Sequence, residues 1–177
     1  MATIKFFLGV ACFTAGSGSL QSERDFITRR EGVVKRATNE IGVREATGRN
    51  DGKRVIQFLA AVNLKSPEPW CAAFVSWVFL HEGFPEPKSG WSPDLFPKSR
   101  LARSALPGNV LGIYFADKKR IAHVGLITEV NGSWITSVEG NTNVSGSREG
   151  DGVYRKLRHI RTIYRMSDWI RPKTTLP

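Results

Sequence analysis

The sequence predicts an α+β domain, and three observations carry that prediction. Helical periodicities occupy the first half of the chain, and short alternating segments separated by turn residues occupy the second. An Asn131-Gly132 pair marks a β-hairpin. The run from Pro69 to Leu80 is apolar almost all round, which places it as a helix in the centre of the protein rather than on its surface. At 177 residues the chain is long enough for one domain to bury a core without disulfide staples.

The elements follow in order. Residues 1–20 read as a signal peptide or a flexible N-terminus. Lys5 is followed by an apolar run from Phe6 to Phe13 and then by small residues from Thr14 to Ser19. That run is far short of the roughly 20 residues a membrane-spanning helix needs, so no transmembrane segment is expected. Cys12 follows Gly9-Val10-Ala11 as in a lipoprotein cleavage site, but Gly9 stands where an apolar residue is usual, which argues against lipid attachment.

Residues 21–177 read as a single domain. Phe26, Ile27, Val33, Val34 and Ile41 mark a first helix from Ser22. A turn cluster spans residues 47–52, and Asp51 is placed to cap a second helix through Val55, Ile56, Phe58, Leu59 and Val62. Pro69 suits the first position of the third helix, and Gly83 ends it. Phe84 to Pro107, rich in Pro, Ser and Lys, reads as a long surface excursion. Strands are expected at Val110–Phe115, Ile121–Val130, Trp134–Val138 and Val153–His159, with a last piece near Trp169 and Ile170.

Net charge is +10, and it is still +9 without residues 1–20, which hold a single lysine and no acid. A strongly basic protein favours polyanionic surroundings, whether nucleic acid or the anionic polymers and lipids of a cell envelope. Basic residues gather late at Arg155, Lys156, Arg158, Arg161, Arg165, Arg171 and Lys173. Zinc-finger spacing, a phosphate loop and an RNA-binding aromatic motif are all missing, so these charges read as a solvated basic face and no nucleic acid is expected.

Cys12 and Cys71 do not make a disulfide framework. Cys71 falls in the first turn of the third helix, where unpaired N–H groups and the helix dipole favour an anion and can form an oxyanion hole. That position can lower a thiol from about 8.5 and make it a nucleophile. The competing reading is a small buried hydrophobe. A base must then be one of three histidines. His81 lies roughly 15 Å further along the same helix at 1.5 Å per residue, and His159 sits among basic residues. His123 interrupts the apolar run Ile121–Ile127, where an imidazole needs a partner. Eight residues back from Asn131 reach His123, and eight forward from Gly132 reach Gly140. Glu139 and Asn141 therefore neighbour His123 across the hairpin and are candidates to hold its tautomer.

The runs Pro69–Trp77, Ala122–Ile127 and Val138–Asn143, in this order, resemble the CHAP family of papain-like peptidoglycan hydrolases, which is related to the NlpC/P60 group. The resemblance covers roughly residues 41–171. It implies helices packed on an antiparallel sheet, with the nucleophile at the start of the central helix. It also implies an exported cysteine amidohydrolase acting on peptidoglycan, either as an N-acetylmuramoyl-L-alanine amidase or as a stem or crossbridge endopeptidase. On these positions Cys71 is the nucleophile, His123 the base, Glu139 the orienting group and Asn141 an assisting residue, with Trp70 and Trp91 expected to contact substrate. Some members bind calcium before the cysteine, but Asn50-Asp51 supplies too few carboxylates, so neither metal nor cofactor is expected. The family's wall-binding repeats are not found in this sequence, and its positive charge is expected to serve instead. A monomer is expected. The alternative is a basic envelope- or nucleic-acid-binding protein on an inactive papain-like fold. A phage lysin or a delivered toxin would share the chemistry, while the leader-like start favours a wall enzyme of the producing cell.

Overall fold

The structure, a computed structural model, describes residues 17–145 and 150–171. Among the described residues, three helices gather on one face of a six-stranded antiparallel sheet. The leader-like segment with Cys12 lies outside the described residues as far as position 16, and helix α1 (Ser17–Asn39) already runs from there. Helix α2 is Lys53–Ala60 and helix α3 is Cys71–His81.

Helix α1 buries Val33 and Ala37 against the core, with Phe26 packed beside them. Ile27 and Ile41, expected on its buried stripe, are exposed, and Ile41 lies past the end of the helix. The Arg30 guanidinium fixes α1 to the far end of the chain by pairing with Asp168 and donating to the Pro107 carbonyl at 2.8 Å.

Asp51 does not cap α2. Its carboxylate accepts from the Thr47 N–H at 2.9 Å and the Thr47 hydroxyl at 2.8 Å, which closes the turn before the helix. Gly52 takes the cap position with φ 105°, a conformation that favours glycine. Pro69 stands two residues ahead of α3 rather than at its first helical position, and Trp70 is the cap.

Helix α3 is buried from Cys71 to Phe79, as its composition demands. Phe58 of α2 packs against Trp70, Phe74 and Trp77. Ala72 and Ala73 let the sheet approach closely. At Gly140 an added Cβ would come within 2.8 Å of Phe74, so this strand and α3 meet without room for a side chain.

The strands are β1 (Leu101–Ala102), β2 (Val110–Phe115), β3 (Arg120–Asn131), β4 (Trp134–Thr142), β5 (Gly152–His159) and β6 (Arg165–Ser167). Their order is β1-β6-β2-β3-β4-β5. The last strand is thus Arg165–Ser167, inserted between β1 and β2. The expected piece at Trp169 and Ile170 is buried side chain after the strand. The excursion between Phe84 and Pro107 is more than surface. Phe84, Leu95 and Phe96 enter the core, and a 3₁₀ turn at Ser92–Leu95 packs beside β3.

In the β3–β4 hairpin, Asn131 pairs with Trp134, so Gly132 and Ser133 form the loop. Gly132 has φ 56°, as such a tight connection requires. A register shift between Ile127 and Glu129 then leaves Leu126 opposite Val138. Continued by one residue, this register sets Glu139 opposite Gly125, one step from the Gly140–His123 pairing expected from simple counting.

Candidate active site

The site is built from three elements. The first turn of α3 supplies Cys71, β3 supplies His123 and β4 supplies Glu139. Nε2 of His123 meets Oε2 of Glu139 at 2.8 Å. With Nε2 so engaged, Nδ1 is the nitrogen left to face Cys71, and each of the two groups moves the other's proton affinity. The thiol is only 6 % exposed, and Sγ stands 3.5 Å from the Ser92 hydroxyl.

Burial alone would disfavour every charge here. It pushes the Cys71 thiol up. The hydrogen bond and charge of His123, the Ser92 hydroxyl and the Val124 N–H outweigh it, and the thiol ends below its ordinary value. Burial pushes His123 down. Its contacts with Cys71 and Glu139 reverse this and raise it to about 9. Burial pushes Glu139 up, but Arg158 and His123 hold its carboxyl well below the usual carboxylate range. With the thiol ionised, the line thiolate, imidazolium, carboxylate, guanidinium alternates in sign from Cys71 to Arg158.

Glu139 is fully buried and its two oxygens are saturated. Oε1 accepts from the Ser137 hydroxyl at 2.6 Å and from Arg158 Nε at 2.5 Å, and Oε2 accepts from Arg158 and His123. Such a carboxylate aims the ring and stabilises its charged form.

Two recesses meet at the thiol. One, of about 530 Å³, is walled by Trp91, Ser92, Lys88, Glu68 and Arg120. The other, of about 120 Å³, holds His123, Asn141 and Lys118. Pro69, Cys71 and Ala122 belong to both, so an extended substrate can cross the sulfur with one arm on each side. A larger groove of about 750 Å³, between α1 and residues 106–107, shares no residue with them.

A search of solved structures finds the same architecture twice. The P60 domain of an antigen from M. avium paratuberculosis matches with a TM-score of 0.52 at 11% identity, over 83% of this chain and 97% of that one. The peptidoglycan hydrolase RipB of Mycobacterium tuberculosis matches with a TM-score of 0.51 at 16% identity, over 89% of this chain and 74% of that one. The fold is papain-like, as in these two structures. The likeness does not single out CHAP within that fold. No protein-family model matches the chain. No curated protein matches it either.

Within this papain-like frame the expected residues fall into three groups. Cys71, His123 and Glu139 come together. Asn141 borders the smaller recess with φ 53°, but its amide donates to Asn50 Oδ1 at 2.9 Å and to Glu45 at 3.4 Å. Its carbonyl oxygen accepts the Trp70 N–H at 3.4 Å, so Asn141 ties β4 to the chain ahead of α3 rather than touching the imidazole. Trp91 is half exposed on the wall of the larger recess, with the Arg120 guanidinium 3.9 Å above its ring.

Trp70 corrects an expectation. It has no exposed surface, stacks on Phe58 and donates from Nε1 to Glu45 at 2.8 Å, so it cannot meet substrate. Its position at the cap of α3 turns the indole inward. The sequence reading also missed Ser92, hidden in the excursion, and Arg158, which it grouped with a solvated basic face. A fully buried carboxylate requires more than a neutral histidine to stay ionised, and that requirement was the signal for Arg158.

Proposed function

We propose that this protein is a peptidoglycan hydrolase that cleaves an amide bond by cysteine nucleophilic catalysis. The observation that carries the reading is the line from Cys71, at the start of α3, to His123 and on to Glu139 at 2.8 Å. The Cys71 thiolate attacks the amide carbonyl, and the oxyanion that forms is held by N–H groups at the start of α3. His123 gives its Nδ1 proton to the leaving amine, and the C–N bond breaks. Water then attacks the thioester, with His123 as base, and the free acid and thiolate are released. Glu139 keeps the ring aimed and its charged form stable. The similarity to a P60 domain and to a peptidoglycan hydrolase supports the substrate class.

The same reading makes the protein an exported, monomeric envelope enzyme held to the wall by charge. Among the described residues, no helix is long and apolar enough to cross a membrane. Wall binding is expected to weaken as salt rises.

The test is digestion of purified sacculi by the wild type and by Cys71→Ser, with fragments identified by mass. Glycan fragments plus new L-alanine amines mark an amidase, and shortened stems mark an endopeptidase. The Cys71→Ser protein is expected to fold normally and to lose at least about 10³-fold in rate. A folded wild type that binds sacculi and releases nothing would replace this reading with that of an inactive binding protein.

A further inference from the structure

Arg158 has no place in the three-residue line, yet it makes the most extensive contact with it. Nε donates to Glu139 Oε1 and a terminal nitrogen donates to Oε2, each at 2.5 Å. Arg158 is one strand beyond Glu139, on β5, and its side chain is 21 % exposed. A two-point grip of this kind fixes the plane of a carboxylate, which a single-point ammonium cannot do.

The grip also changes the charge that His123 meets. A lone buried carboxylate beside an imidazolium binds its proton tightly. A guanidinium on the far side of the same carboxylate offsets that field. The other ionisable groups around the pair are Cys71 from α3 and Lys118, which lines the smaller recess with His123, while Lys156, two residues before Arg158 on β5, donates its ammonium to the Asn143 carbonyl at 2.7 Å. Arg158 alone of these contacts Glu139.

We propose that Arg158 is a positioning residue. By gripping both oxygens of Glu139 it aims that carboxylate at His123 and offsets its charge, so the imidazolium stays acidic enough to protonate the leaving amine. This rests on the reading of Cys71 and His123 as nucleophile and proton carrier, and it separates into a charge effect and a geometric effect.

The chain holds three histidines, so the ring of His123 can be followed by NMR titration with no substrate present. In Arg158→Gln the His123 midpoint is expected to rise by about one pH unit, because the uncompensated carboxylate holds the proton more firmly. The basic limb of kcat/KM should rise with it. In Arg158→Lys the charge is kept and the grip is lost. The His123 midpoint is expected to stay near the wild-type value while kcat/KM falls about 10-fold, the cost of a misaimed ring. An unmoved or lowered midpoint in Arg158→Gln overturns the charge effect, and wild-type kcat/KM in Arg158→Lys overturns the geometric one. A fall in thermal stability alone, with both readouts unchanged, makes Arg158 a purely structural residue. If Arg158→Gln does not fold, the Arg158→Lys arm still decides the geometric claim. The ring titration stands whether or not sacculi are cleaved, so its failure is distinct from a failure of the proposed function.

Discussion

The indole of Trp70 donates to the carboxylate of Glu45 at 2.8 Å, and this bond ties the residue before the thiol to the chain ahead of α2. Glu45 also accepts the Asn50 N–H at 2.9 Å, and Asn50 in turn accepts from Asn141. The start of α3 is therefore held from outside the helix. Trp70→Phe keeps the stack on Phe58 but removes the indole N–H. It is expected to cost about 1–2 kcal/mol in denaturant unfolding. KM should be unchanged, because the ring is buried; a raised KM would return Trp70 to the substrate site.

Trp91 predicts the opposite pattern. It is 51 % exposed and walls the larger recess. Trp91→Ala is expected to raise KM several-fold while the melting temperature stays within about 2 °C of wild type, as for a surface residue. Kinetics on soluble wall fragments, with calorimetry alongside, check both halves.

Gly125 predicts a loss of activity at a distance from the sulfur. A Cβ added there would lie 2.4 Å from Cγ of Glu139, so Gly125→Ala must push the carboxylate away from His123. Shifts of about 1 Å in a catalytic array can cost about 100-fold in rate. The variant is expected to lose at least 10-fold in kcat/KM, with an overpacking cost of about 1–3 kcal/mol in stability. Wild-type activity in Gly125→Ala would show that Glu139 does not need its present position.

The pH dependence follows from the charges of the site. Activity should appear on the acid side below the ordinary thiol range, since Cys71 is lowered, and decline as His123 loses its proton near pH 9. Stability carries the same signature. The folded-state value of His123 is raised above 6.5, so its contribution is complete below that pH and disappears as pH rises through about 9. The Glu139 value is depressed, so its contribution is present above 4.5 and is lost only far into acid. Thermal unfolding of wild type and His123→Ala across this range should show a difference that narrows toward pH 9; a constant gap would contradict the raised value.

How much of this was legible depended on whether a residue's role is local. Helix α3 could be read directly, because a segment apolar on every side has only the centre of a domain to occupy. The β3–β4 hairpin was legible from Asn131-Gly132, but its loop is Gly132-Ser133 and a register shift follows, so counting set Gly140 opposite His123 where the observed register, continued, sets Asn141. Asp51 had a cap's chemistry, yet a nearby threonine used it.

By itself, then, the sequence determined the α+β order, the burial of α3, the place of Cys71 in its first turn, and the nearness of Glu139 and Asn141 to His123 across one hairpin. These follow from periodicity, turn chemistry and short-range spacing. Only the tertiary structure decided that Trp70 faces inward, that Asn141 braces the chain ahead of α3, that Ser92 reaches the thiol and that Arg158 leaves the basic surface to hold Glu139. Each of those depends on which neighbour fills the space around a side chain. That is a property of packing between distant segments, and no pattern along the chain encodes it in one place.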